Sequence, residues 1–275
     1  GPKELNPVTK KEYNMSFPVI TIRDMVNAQK MLIDELDIKK LFSVIGGSAG
    51  GFQVLQWAAS YPESVVSAIP IATSFRHSAQ NIAFHEVGRQ AIMSDPDWCN
   101  GNYIDKKKRP EKGLSVARML AHITYLSEEA FQRKFGRNLQ GKVSLAYGFK
   151  TDFQVESYLK HQGLAFVGRF DANSYLYITR AMDYFDLPNQ KKGGLKKIYK
   201  NSPVKFCVIS FTSDWVYPTK YSKEIVDSLN AVGANVSFVE IQTDKGHDAF
   251  LLDEKEFNET VRGFLNSTAN IMGVN

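Results

Sequence analysis

A serine enclosed by glycines stands where two differently patterned segments meet. Residues 46–50 read GGSAG, which is the G-x-S-x-G spacing around Ser48. The apolar residues 41–45 predict a short buried strand, and residues 52–61 carry apolar side chains at helical spacing. Such a strand-to-helix turn exposes the serine hydroxyl and points the positive end of the helix dipole at it. The pattern fits a nucleophilic serine, and it also fits a glycine-rich turn that binds phosphate or only packs.

A nucleophilic serine needs a base, and the base needs an acid that orients it. In a fold that presents its serine on such a turn, the chain order is Ser, then Asp or Glu, then His. Asp214 comes just after the apolar segment that ends at Phe211, and His247 comes just after one that ends near Gln242. Both residues would lie on loops after late strands. We therefore predict a triad of Ser48, Asp214 and His247.

The other four histidines do not follow a late strand. His77 and His85 lie at or near a predicted helix, and His122 and His161 lie in a helical segment. Each is interpreted as a core or surface histidine. The spacing of His77, His85 and Glu86 matches no common zinc signature, so no metal site is predicted.

Strand and helix patterns alternate at both ends of the chain, which predicts a parallel sheet flanked by helices. Thr21 and Asp24 have the spacing of a capping box at the start of the first helix. The predicted elements, with helices and strands in chain order, are a helix over 21–37, a strand over 41–45, a helix over 52–61, a strand over 65–73, a strand over 203–211, a helix over about 221–232, a strand over 235–242 and a helix around 257–264.

The middle of the chain has a different pattern. Residues 114–186 show helical periodicity and little strand signal. We therefore predict an α/β fold with a discontinuous core of residues 1–110 and 196–275. Residues 111–195 would form a helical lid inserted between the two halves of the core.

Composition places the 275 residues among ordinary globular proteins, with 43% hydrophobic and 23% charged residues and a formal charge of +5. The basic clusters at 106–109 and 191–197 border Gly or Pro and are interpreted as solvated loops, not as a nucleic-acid surface, although they could attract coenzyme A phosphates. Two cysteines make no disulfide framework, and Cys207 lies in an apolar segment. No segment approaches the about 20 apolar residues of a membrane span, and none resembles a signal peptide. We predict a cytoplasmic protein.

Longer segments together resemble one family. The segments GGSAGGFQVLQWAASYPE, RHSAQNIAFHEVGRQAI, RFDANSYLYITRAMDYFDL, SFTSDWVYPT and TDKGHDAFLL are similar to the homoserine O-acetyltransferases, α/β-hydrolase-fold enzymes of methionine biosynthesis. The likeness extends to about Phe264. It implies a ping-pong acyl transfer in which Ser48 attacks the thioester of acetyl-CoA, His247 takes the proton and Asp214 orients the imidazole. The hydroxyl of L-homoserine would then accept the acetyl group.

The same resemblance implies further roles. The N–H of Ala49 would donate to the oxyanion, Arg118 would bind the homoserine carboxylate, Tyr125 would line the pocket and Asp248 would receive the amino group. Without the resemblance, Arg118 reads as a surface helix residue and Asp248 as a loop acid. Acetyl-CoA is implied as a co-substrate, with no permanently bound cofactor. Similar enzymes form homodimers through their helical insertions, and the aromatic-rich segment 166–185 could supply that face or could pack inside the lid.

The start of the chain departs from this family. Several strands precede the elbow strand in α/β hydrolases, whereas only 47 residues precede Ser48 here. We therefore expect an N-terminally truncated member whose first strands, with the loop that donates the second oxyanion N–H, are absent. The alternatives are a succinyltransferase that acts on homoserine or serine, a serine hydrolase or esterase, and an inactive fragment that serves as a binding or dimerisation module.

Overall fold

The computed structural model describes residues 1–274. Its helices, in chain order, are α1 (Ile22–Glu35), α2 (Ala49–Ser60), α3 (Ala79–Met93), α4 (Glu111–Tyr125), α5 (Glu128–Lys134), α6 (Gln154–Val167), α7 (Ala172–Asp183), α8 (Gly194–Ile198), α9 (Thr219–Asn230) and α10 (Lys255–Met272). Its strands are β1 (Leu41–Gly47), β2 (Val65–Ile71), β3 (Lys205–Phe211) and β4 (Val236–Ile241). None of the helices in this part of the chain is long and apolar enough to cross a membrane.

The strands of the described residues form one parallel sheet in the order β1-β2-β3-β4. Val44 of β1 is in register with Ala68 of β2, and Ile71 of β2 is in register with Ile209 of β3. The predicted parallel sheet with flanking helices is confirmed. Because the carboxyl ends of parallel strands lie at one edge of the sheet, the loops after β1, β3 and β4 open at the same edge.

Contacts within the chain divide it into two compact units. The sheet unit comprises residues 20–77 and the residues from 184 onward, and the helical unit comprises residues 1–19 and 78–183. These boundaries differ from the predicted ones at 111 and 195. The helical unit begins earlier because α3 packs closely against α4. The role of residues 111–195 as a lid stays a prediction.

The core of the sheet unit lies on both faces of the sheet. Ile69, Ile209 and Phe211 are fully buried on the strands, and Phe52 and Leu55 are fully buried on α2. Burial of side chains of this size stabilises the folded state by about 1.5–3 kcal/mol each. Helix α2 packs against β1 and β2, which fixes the direction in which it leaves the end of β1.

The first helix of the sheet unit begins with the predicted capping box. The Asp24 N–H donates to Thr21 Oγ1 over 3.2 Å, and the Thr21 N–H donates to Asp24 Oδ2 over 2.8 Å. The Thr21 hydroxyl, which donates to Asp24 Oδ2 over 2.7 Å, and then the Thr21 N–H lower the pKa of the Asp24 carboxyl. A cap of this kind stabilises a helix by about 1 kcal/mol.

Glycines allow the helices of the helical unit to pack closely. A Cβ on Gly113 would lie 2.3 Å from the carbonyl oxygen of Ala91, so α3 and α4 approach backbone to backbone. A Cβ on Gly163 would lie 2.2 Å from Ser115 Oγ and 2.9 Å from the Ser115 carbonyl oxygen, so α6 also packs closely on α4. The helix α4 is therefore held between α3 and α6, and its side chains are correspondingly restrained.

Candidate active site

Ser48 occupies the turn between β1 and α2 with φ 56° and ψ −122°. A positive φ is costly for a residue with a Cβ, and such conformations persist only where surrounding contacts enforce them. Here the Ser48 N–H donates to the carbonyl of Ile71 over 2.9 Å, and Thr73 Oγ1 donates to the carbonyl of Ser48 over 2.9 Å. Both partners belong to β2 and the loop after it. The neighbouring strand therefore holds the serine in its strained conformation.

Close contacts require glycine at two positions beside Ser48, residues 46 and 51. A Cβ on Gly46 would lie 2.6 Å from the backbone of Gly50, and one on Gly51 would lie 2.5 Å from Thr73 Cβ. Side chains at these positions would force the turn open. The sharpness of the turn thus explains Gly46 and Gly51.

Asp214 follows β3 and is 3% exposed. Its N–H donates to the carbonyl of Phe211 over 3.1 Å. Its Oδ1 accepts the N–H groups of Val216 and Tyr217, each over 2.9 Å. Backbone N–H groups that point at a buried carboxylate stabilise its charged form. The second carboxylate oxygen, Oδ2, remains for another partner.

That partner is His247, which follows β4 and is 2% exposed. Its Nδ1 lies 2.8 Å from Asp214 Oδ2. The preceding Gly246 has φ 77° and donates its N–H to Ser213 Oγ over 2.9 Å, which ties the loop after β4 to the loop after β3. Since Nδ1 donates to the carboxylate, the imidazole keeps Nε2 as its basic nitrogen.

Aromatic side chains hold the His247 ring. The ring centroids of Tyr217 and Phe250 lie 5.4 and 5.7 Å from that of His247. Phe250 also presses on the backbone of the elbow, because a Cβ on Gly47 would lie 2.5 Å from Phe250 Cε2. One ring thus touches the imidazole and the residue before Ser48, which ties the His247 loop to the elbow.

The sequence did not indicate the part played by Tyr217 and His77. The Tyr217 hydroxyl lies 2.6 Å from His77 Nε2, and both side chains are buried and contact Phe52. The interpretation of His77 as a core histidine agrees with this burial. The aromatic tyrosine three residues after Asp214 was the only available signal, because its partner is 140 residues distant in the chain.

The remaining candidates in the sheet unit lie beside the triad residues. Ala49 is the first residue of α2, so its N–H has no acceptor within the helix and lies at the positive end of the dipole. Asp248 directly follows His247 in a short 3-10 helix and is partly buried. The roles of Ala49 and Asp248 stay predictions.

In the helical unit, Arg118 and Tyr125 lie on α4. The Arg118 guanidinium carbon lies 5.4 Å from the ring centroid of Tyr125 and 4.7 Å from that of Phe166. Cation–π contacts of this kind favour a guanidinium that has lost part of its hydration. Arg118 makes no ion pair with any of the residues 1–274, and its Nε is buried without a hydrogen-bond partner. An arginine so placed is suited to an external anion.

Comparisons with known proteins agree with this geometry. A family model described as the alpha/beta hydrolase fold matches residues 4–254. The chain is 63% identical over 274 residues to a homoserine O-acetyltransferase from Rhodospirillum rubrum, and the match covers 100% of this chain and 70% of that protein.

Two solved structures are also similar to this chain in fold and in sequence. The structure of a homoserine O-acetyltransferase from Bacillus anthracis matches with a TM-score of 0.89 and 29% identity over 97% of this chain and 70% of that one. Esterase E22 matches with a TM-score of 0.85 and 28% identity over 96% of this chain and 72% of that one. Proteins described as an acetyltransferase and as an esterase therefore both have folds similar to that of this chain.

Proposed function

The chain belongs to the homoserine O-acetyltransferases of the α/β-hydrolase family, and from this premise we propose that it transfers the acetyl group of acetyl-CoA to the hydroxyl of L-homoserine through an acetyl-Ser48 intermediate. The observation that carries the mechanism is the 2.8 Å contact of His247 Nδ1 with Asp214 Oδ2. It leaves a buried imidazole with a basic Nε2, on a loop that Phe250 ties to the elbow of Ser48.

In the first half-reaction, Ser48 Oγ attacks the thioester carbonyl and its proton passes to His247 Nε2. The Ala49 N–H donates to the oxyanion of the tetrahedral intermediate, aided by the positive end of α2. The carbon–sulfur bond then breaks, and coenzyme A leaves with the proton from His247. Asp214 stabilises the imidazolium while it carries that proton.

In the second half-reaction, the same His247 removes the proton of the homoserine hydroxyl, whose oxygen attacks the acetyl-serine. Collapse of the tetrahedral intermediate breaks the bond to Ser48 Oγ, which takes the proton back from His247. The products are O-acetylhomoserine and free Ser48. No metal or bound cofactor is needed for either step.

Recognition of the amino-acid acceptor requires groups of both charges. We propose that Arg118 binds the carboxylate, Tyr125 lines the pocket and Asp248 receives the ammonium group. The guanidinium of Arg118, stacked on aromatic rings and without an acid partner in residues 1–274, supports the first assignment. A bidentate arginine fork matches a planar carboxylate. Water as an acceptor would require neither Arg118 nor Asp248.

Dimerisation through the helical unit stays a proposal from family resemblance. Two aromatic residues of the segment 166–185, Phe166 and Phe185, are buried inside the chain and so pack within it. Ile178 of the same segment is exposed and supports a face for a partner copy. Sedimentation velocity of the chain would decide its oligomeric state.

Intact-mass spectrometry tests the proposed function directly. The chain is incubated with acetyl-CoA or succinyl-CoA, and L-homoserine, L-serine or buffer is then added. We expect an acetyl adduct on Ser48 that L-homoserine discharges much faster than water does, with Ser48→Ala as the control that forms none. A succinyl adduct would indicate the other donor. Equal discharge by buffer alone would indicate a hydrolase, for which the similarity to esterase E22 provides a precedent.

A further inference from the structure

Helix α4 carries a second polar side chain one turn beyond Arg118. His122 is 8% exposed, and its ring centroid lies 5.6 Å from that of Tyr125, the ring on which the Arg118 guanidinium also rests. Residues four apart on a helix project from the same face. Arg118 and His122 therefore belong to one aromatic cluster within the helical unit.

Two nitrogens of this cluster lack hydrogen-bond partners. Arg118 Nε and His122 Nε2 are both buried, and neither has a donor or acceptor among residues 1–274. Buried polar atoms are nearly always paired in folded proteins, so each unpaired atom requires an explanation. Two such nitrogens on one face of one helix are explained together by a ligand that accepts hydrogen bonds from both.

The charges around His122 point to an anion. Its charged neighbours are Arg118 on the same helix, Lys134 at the end of α5 and Arg169 after α6. None of these three cations forms an ion pair within the described part of the chain. Burial, and then repulsion by Arg118, Arg169 and Lys134, lowers the pKa of His122 to about 4, so the ring is neutral at physiological pH.

The hydrogen bond of the other ring nitrogen selects the tautomer. His122 Nδ1 lies 3.1 Å from the hydroxyl of Tyr158. When Tyr158 donates its O–H to Nδ1, the proton of the neutral imidazole resides on Nε2. The unpaired nitrogen is then an N–H donor, which is the group that a carboxylate or another anion would take.

We propose that His122 is a second binding residue for the carboxylate of the amino-acid acceptor, donating from Nε2 beside Arg118. The inference rests on the proposed function, since it adds a residue to the binding of the same substrate. Arg118 supplies the charge, and His122 supplies a neutral donor in a fixed direction. The site thereby discriminates a carboxylate from a neutral substituent at that position. Tyr158 acts as a positioning residue that holds the tautomer.

A pair of substrates isolates the carboxylate contact. L-Homoserine is compared with 3-aminopropan-1-ol, which has the hydroxyl and the amino group and lacks the carboxylate. His122→Phe keeps a planar ring and removes both nitrogens. We expect it to lower kcat/KM for L-homoserine about tenfold, mainly through KM, and to leave kcat/KM for 3-aminopropan-1-ol within about twofold.

Two further variants control for shape and folding. His122→Gln returns an amide N–H to the region of Nε2 and is expected to restore most of the lost kcat/KM. Tyr158→Phe frees the tautomer and is expected to raise the KM for L-homoserine by a smaller factor without changing the use of 3-aminopropan-1-ol. Equal losses on both substrates, or no loss on either, would overturn the proposal.

The first half-reaction separates this inference from the proposed function. Formation of acetyl-Ser48 does not involve the acceptor, so His122→Phe is expected to form it at the parent rate. If the parent chain forms no acyl-serine, the proposed function fails by itself. Calorimetric affinity for L-homoserine then decides the role of His122. A loss of about tenfold in His122→Phe supports the contact, and an unchanged affinity overturns it.

Discussion

The ring of Phe250 lies against the backbone of Gly47 so closely that a Cβ at Gly47 would stand 2.5 Å from Phe250 Cε2. On its other side the ring contacts His247, with 5.7 Å between centroids. The elbow and the loop that carries the imidazole therefore meet through one aromatic side chain. Their spacing depends on the absence of a side chain at residue 47.

Gly47→Ala is expected to displace Phe250 and, with it, His247. Overpacking of this kind shifts side chains and backbone by tenths of an ångström, and a catalytic base tolerates little displacement. We expect kcat/KM to fall about 10- to 100-fold with the cooperative thermal transition retained. Steady-state kinetics and differential scanning calorimetry check both parts.

A matched control comes from α10. A Cβ on Gly263 meets no heavy atom within 4 Å, so Gly263→Ala makes the same chemical change without a clash. It should leave kcat/KM unchanged and raise the free energy of unfolding by about 0.5–1 kcal/mol, because alanine favours the helix. Activity of Gly47→Ala equal to that of Gly263→Ala would contradict the proposed link through Phe250.

The backbone conformation of Ser48 is expected to lower the stability of the folded protein. Its φ of 56° favours glycine, so Ser48→Gly should be more stable than Ser48→Ala by about 1 kcal/mol, although both lose the hydroxyl. Both variants should lose activity by about 10³-fold or more. Denaturant unfolding of the two variants measures the strain directly. Equal stabilities would show that the turn is not strained.

Local sequence patterns were sufficient for the fold around the elbow. Apolar residues before Ser48 and helical spacing after it correctly predicted β1 and α2, and Thr21 with Asp24 correctly predicted a capping box. The ends of the predicted elements were less accurate. The strand predicted to end at residue 73 ends at Ile71, because Ala72 takes φ 46° and turns the chain.

Nonlocal contacts explain what the sequence could not predict. Phe17 lies in the helical unit because Tyr177 donates its hydroxyl to the Phe17 carbonyl over 2.7 Å, a contact between residues 160 positions apart. The hydrogen bonds of Thr73 to Ser48 and of His77 to Tyr217 join residues 25 and 140 positions apart. Periodicity contains no information about such pairs. The strand-end positions of Asp214 and His247 were predictable because chain order and sheet topology constrain them.

Asp214→Asn is expected to disturb the tautomer of His247 without unfolding the protein. The asparagine oxygen can still accept from the N–H groups of Val216 and Tyr217, which turns its NH₂ group toward His247 Nδ1. The imidazole would then place its proton on Nε2 and lose its basic nitrogen there. We expect kcat to fall about 10³- to 10⁴-fold. Asp253→Asn, an exposed acid nearby in the chain, should have no effect in the same assay.

The low pKa of His122 predicts how stability depends on pH. An unfolded histidine titrates near pH 6.5, whereas folded His122 has a pKa of about 4 because of burial and the nearby cations. Between these values the unfolded chain binds a proton that the folded chain does not, so stability rises with pH across this window and falls as pH drops from about 6.5 to about 4.

His122→Phe removes this contribution. Thermal melting at pH 4.5 and pH 7 should therefore show a smaller decrease in Tm on acidification for His122→Phe than for the parent chain. The exposed His161 supplies the comparison through His161→Phe, which should leave the decrease as large as in the parent. If His122→Phe behaved like His161→Phe, the ring of His122 would have to be accessible to protonation in the folded state, and its assignment as a neutral donor would be wrong.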